Sequence, residues 1–111
     1  MTVYFAQEPS PNRKQPDLTT ARRFGDVVFV FDYRYPVSQK PEDAYRHASE
    51  VLRNFDPDTD YIGDCGGDKM ALGVVAHILA DWEPINFLRW NRYNGGLYEP
   101  TYIGTVDRVE E

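Results

Sequence analysis

The chain alternates short apolar runs with joints rich in proline, glycine or acidic residues. Its strongest β-like run is DVVFVFDY, Asp26–Tyr33, in which Val27 to Phe31 are all β-branched or aromatic. An unbroken apolar run of that kind predicts a strand buried on both faces, as a central strand of an α/β sheet is. TVYFA, Thr2–Ala6, predicts a shorter strand ahead of it. Residues 8–25 between them, EPSPNRKQPDLTTARRFG, predict a proline-rich loop, because proline lacks the amide proton that helices and sheets use. Within it Asp17 is placed to cap a short turn over Ala21–Phe24, with Gly25 as the stop.

Periodicity changes after Lys40. Ala44, Ala48, Val51, Leu52 and Phe55 fall on one helical face, and Glu42, Arg46, Glu50 and Arg53 on the other. Pro41 suits the first helical position, and Glu42 and Asp43 suit the positive end of the helix dipole. DYIGD, Asp60–Asp64, predicts a short strand. From Asp68 to Trp82 the sequence is apolar almost all round, with a thin polar line at Lys69, Gly73 and His77. This predicts a helix buried more deeply than a surface helix, and a homodimer through residues 68–82. His47 is expected on the polar side of the earlier helix, away from the sheet. Asn94-Gly95 between two aromatic-rich runs predicts a hairpin. The order is β-β-α-β-α-β-β. Strands alternating with helices predict an α/β fold, a small Rossmann-like layered sandwich with central parallel strands and a C-terminal antiparallel β-hairpin.

The length of 111 residues fits a single domain, residues 1–111, with 104–111 expected as a flexible tail. The net charge of −6 argues against general affinity for nucleic acid or anionic membrane, which depends on phosphate neutralisation. One cysteine permits no internal disulfide. No leader sequence and no apolar run near the ~20 residues of a membrane span is evident. A cytoplasmic protein without membrane contact is expected.

Candidate chemistry centres on YIGDCGGDKMALG, Tyr61–Gly73. Gly63-Asp64-Cys65-Gly66-Gly67 matches the cysteine form of a nucleophile elbow, where glycines allow a sharp turn and a helix N-terminus can lower a thiol pKa. Such a nucleophile needs an adjacent base. His77 lies about 15 Å further along the helix that starts at the elbow, and His47 lies on another element. A cysteine phosphate loop is excluded by Ala71, which stands where C-x5-R requires arginine. A phosphate cradle on the free N–H groups of Gly66, Gly67 and Asp68, assisted by Lys69, is the more open reading. Asp64 and Asp68 oppose it, and no full nucleotide motif is present. The plainest reading is a compact strand-to-helix turn with Asp68 as helix cap and Cys65 as a small buried residue.

Asp56, Asp58 and Asp60 begin like a calcium loop, but Tyr61 and Gly67 occupy the positions of its glycine and glutamate. A solvated acidic turn is expected instead. His47 and His77 lack cysteine partners at zinc spacing. No metal and no cofactor is expected. The C-terminal hairpin gathers Arg89, Trp90, Arg92, Tyr93 and Tyr98, residue types that dominate protein–protein hot spots.

Several segments, VYFAQEP, FGDVVFVF, DYIGDCGGDKMALGVVAHILAD and FLRWNRYNGGLYEP, resemble a family of small uncharacterised tailed-bacteriophage proteins. The likeness runs from Val3 to Pro100. It implies a phage product acting in the cytoplasm of the bacterial host, and carries over no catalytic residue. The first functional expectation is a non-enzymatic accessory protein that binds and modulates a host protein through Arg89, Trp90, Arg92, Tyr93 and Tyr98. The alternative is a binder of a small nucleotide-derived ligand through Gly63, Asp64, Cys65, Gly66, Gly67, Asp68 and Lys69.

Overall fold

The computed structural model describes residues 1–12, 17–81, 85–91 and 97–103. Five strands form one sheet: β1 (Thr2–Gln7), β2 (Asp26–Phe31), β3 (Tyr61–Gly63), β4 (Ile85–Asn91) and β5 (Leu97–Ile103). Their spatial order is β2-β1-β3-β4-β5. β2, β1, β3 and β4 run parallel, and β5 returns antiparallel along β4. Helix α1 (Pro41–Val51) joins β2 to β3, and α2 (Lys69–Ile78) joins β3 to β4. This is the expected α/β sheet with a parallel centre and an antiparallel C-terminal pair. The Asn94-Gly95 turn and the tail at 104–111 lie outside the described residues.

The order explains the layering. The chain steps one way from β1 to β2, then the opposite way from β2 to β3 and from β3 to β4. Parallel crossovers are right-handed, so α1 and α2 fall on one face and the β1–β2 connection on the other. The core divides accordingly. On the helix face Tyr4, Ala6, Val30 and Ile62 pack with Ala44, Ala48, Ala71, Val74 and Val75. On the other face Val3, Phe5, Leu88 and Tyr98 are buried under Ala21, with Leu18 and Phe24 packed alongside. Here the cover is a strap, residues 17–25, built around a 3₁₀ turn at Ala21–Phe24. The backbone N–H of Tyr98 donates to Thr20 Oγ1 (2.8 Å), which fastens the strap to β5.

Two expectations change. β2 is an edge strand, not a central one. Its apolar run reflects cover on both faces, by α1 and by the strap, and that requires no neighbour on each side. His47 is the second correction: it lies against the sheet, not away from it. Its Nε2 is 2.9 Å from the Val30 carbonyl of β2, and its ring stacks on Tyr35 at 5.0 Å between centroids. An imidazole there occupies part of an edge that would otherwise be open to another strand.

The helix α2 is also less enclosed than its composition implies. Ala71, Val74 and Val75 are buried, while Met70, Gly73, Ala76 and His77 are exposed. No helix among the described residues is long and apolar enough to cross a membrane. The Asp56–Asp60 turn, expected to be solvated, keeps Asp56 and Asp58 exposed but buries Asp60, which has a structural role. Asp60 is 5% exposed, and its carboxylate accepts the N–H groups of Thr2 and Asp56, both at 2.9 Å. It pins the start of β1 to the turn that leads into β3.

Candidate functional site

The parallel strands end together at one edge of the sheet. Gln7 closes β1 there, Asp32 to Tyr35 follow β2, and Asp64 to Asp68 follow β3. β1 leads to β2 on one side and β3 lies on its other side, so the connections diverge from this point. In doubly wound sheets such a divergence opens a crevice at the carboxyl ends of the strands, where ligands bind. The crevice here has a volume of about 440 Å³. Gln7, Glu8, Tyr33, Tyr35, Gly66 and Asp68 are among its lining residues, with Cys65 and Gly67. A groove of about 580 Å³ along α1 is larger, but Pro41, Tyr45, Ser49 and the rest of its lining come from that one helix.

Gln7 organises the crevice. It is 4% exposed, and its carboxamide is fully engaged. Nε2 donates to the carbonyls of Asp32 (3.0 Å) and Tyr35 (3.3 Å), and Oε1 accepts the N–H of Asp68 (2.7 Å). One side chain thus joins the ends of three separate segments. The glycines follow from this arrangement. Gly67 has φ +88°, and a Cβ there would lie 2.8 Å from Gln7 Cβ. Only glycine combines that conformation with that approach. Gly63 makes a different close contact, since a Cβ would meet the Phe5 ring at 2.7 Å.

Several N–H groups of the loop already have acceptors. Asp64 Oδ1 accepts from Gly66 (3.2 Å), and Asp68 Oδ1 accepts from Met70 (2.9 Å) as the cap of α2. The second oxygen of Asp68 accepts from the Ser38 hydroxyl. These bonds hold the Asp68 carboxyl below the ordinary carboxylate range, the Ser38 bond first and the Met70 bond next. Of the expected phosphate cradle, the N–H of Gly66 is therefore taken by the chain's own Asp64 and that of Asp68 by Gln7, which leaves the N–H of Gly67. Lys69 starts α2 as an exposed residue and does not line the crevice.

Cys65 is half-buried, and its Sγ–H donates to the Gln7 carbonyl at 3.5 Å. Burial, then the charge of Asp64, pushes its thiol up to about 12. A thiol held protonated at neutral pH is a poor nucleophile, so the helix N-terminus does not activate it. Among the described residues no cluster of three His, Cys, Asp or Glu stands at metal-binding spacing.

The hairpin residues are divided by the alternation of the strands. Trp90 is 40% exposed on the strap face, where it meets Tyr98 edge-on at 5.0 Å. Tyr98 itself is 3% exposed and packs against Phe5. Arg89 lies on the opposite face in an exposed ion pair with Glu99 (3.4 Å). Arg92 and Tyr93 lie outside the described residues. Sequence reasoning passed over Gln7, Tyr33 and Tyr35 as site residues. The signal available was Gln7 itself, a polar residue closing the apolar run TVYFA.

A family model described as Phage Pam3 gp32-like protein matches residues 1–104. The chain belongs to that family. The resemblance to small phage proteins is thereby borne out, over slightly more of the chain than the segments that carried it. No curated protein and no solved structure matches the chain significantly.

Proposed function

We propose that this phage protein acts by binding rather than by catalysis, and that its ligand enters the crevice between the ends of β1 and β3. The observation that carries this reading is the convergence of three chain segments on the buried Gln7 carboxamide, beside a cavity large enough for a small molecule or a side chain. The strand order supports it by analogy with doubly wound sheets, a warrant weaker than the site itself. The raised Cys65 thiol supports binding over nucleophilic chemistry. The proposed place of action is the cytoplasm of the bacterial host.

The test is a ligand titration followed by backbone and side-chain amide resonances. Binding in the crevice moves the signals of the Gln7 side chain and of Gly66 and Gly67 together. Ligands that move only distant signals, or a panel of cations, anions and peptides that moves none, would refute the reading.

A second reading keeps a host protein as partner on the strap face, and exposed Trp90 favours it. It predicts that Trp90→Ala, and not Arg89→Ala on the far face, abolishes capture of a specific host protein from lysate. Equal capture by both variants and by the unaltered chain eliminates this surface.

A further inference from the structure

We infer that the crevice takes an organic cation, a guanidinium or ammonium group, and excludes phosphate. The inference rests on the crevice reading above and assigns its ligand class. Three observations converge. First, two of the three N–H groups that would hold an anion are filled from within, by Asp64 at Gly66 and Gln7 at Asp68, which leaves the one of Gly67, and the next helical N–H, of Met70, is capped by Asp68. Second, the lining includes the acidic residues Glu8 and Asp68, the latter with its carboxylate already engaged by Met70 and Ser38, and no lysine or arginine. Third, Tyr33 and Tyr35 are among the lining residues, Tyr33 exposed at the rim and Tyr35 with its ring stacked on His47. Aromatic faces beside carboxylates suit guanidinium and ammonium groups.

The structure already places a guanidinium on Tyr33. The Arg34 side chain sits over that ring at 5.1 Å, and its Nε donates to the Tyr33 hydroxyl (2.8 Å). Arg34 is exposed and lies outside the crevice lining, and its contact with Tyr33 is one for which an incoming cation would compete. A metal ion is a poorer fit, since no three His, Cys, Asp or Glu of the described residues cluster. The shared chemistry could come from a free amine or guanidine, or from a basic side chain of a protein.

Two variants set the sign of the charge preference without touching the core. Glu8→Gln removes an attractive charge from the wall, and Arg34→Ala removes the competing cation. The probes are agmatine, an acetylated Gly-Arg-Gly amide peptide, inorganic phosphate and ATP, each titrated at low salt with the crevice amides as readout. Agmatine and the peptide are expected to bind, about 3–5-fold more weakly to Glu8→Gln and more tightly to Arg34→Ala, with affinity falling as salt rises. A peptide at least tenfold tighter than agmatine identifies a protein side chain as the natural source, and equal affinity identifies a small molecule. Either result sustains the inference. Phosphate or ATP binding in the crevice, strengthened by Glu8→Gln and weakened by Arg34→Ala, overturns it and leaves the crevice reading standing. No shift with any probe removes both.

Discussion

At the scale of single residues, the side chains that matter most are those that satisfy backbone groups far away in sequence. Asp60 accepts N–H groups from Thr2 and Asp56 while almost wholly buried. Asp60→Ala leaves both donors without a partner, and a buried unpaired group costs roughly 1–3 kcal/mol. The expected loss is about 2 kcal/mol in urea denaturation, with Asp60→Asn in between because it keeps one acceptor oxygen. A loss under 0.5 kcal/mol for Asp60→Ala would mean that water replaces the carboxylate. Cys65 gives the converse case. With its thiol pushed up to about 12, alkylation by iodoacetamide at pH 7.5 should run well below the rate of a free cysteine peptide, and reach the peptide rate once urea unfolds the chain. The sequence placed Cys65 at a strand-to-helix elbow correctly. Its chemistry depends on burial and on Asp64, which the elbow motif does not encode.

At the scale of elements, local pattern carried the strands and helices well, because each has its own periodicity and end signals. Pro41 does begin α1, and Asp68 does cap α2. Pattern carried less about position in the sheet. The apolar run of β2 records that both its faces are covered, and an edge strand between α1 and the strap meets that condition as well as a central one. Nor could composition reveal which side of α2 meets solvent. Two glycine substitutions separate the roles of the β3–α2 loop and the helix after it. Gly67→Ala forces a Cβ into Gln7 at a backbone angle that side chains rarely adopt, and should cost about 2 kcal/mol. Gly73 is exposed in α2, and a Cβ there meets nothing within 4 Å. Gly73→Ala should therefore gain up to about 1 kcal/mol from helix propensity. Thermal denaturation of both variants checks the pair. Equal effects would show that the loop relaxes around a Cβ.

At the scale of the whole molecule, the site was half legible. The loop after β3 was recognisable as glycine-rich, but its crevice is made by bringing that loop beside the ends of β1 and β2, and the strand order that does so is a long-range property. The same long-range packing sets the response to alkali. Burial raises Tyr4 and Tyr98 from the ordinary 10.0, and it raises Cys65 from 9.0. The unfolded chain ionises these groups at their ordinary values, whereas the folded chain keeps them neutral. Their contribution is thus intact below about pH 9 and is lost as pH rises toward the folded values. The urea midpoint should fall between pH 8 and pH 10.5. Cys65→Ala and Tyr98→Phe should each flatten that fall. Both groups stay neutral in the folded chain over that range, so their mutual charge effect is silent there and the double variant should flatten the fall by about the sum of the two. An equal slope in all four proteins would assign alkaline loss to the growing net negative charge of the whole chain instead of to these buried groups.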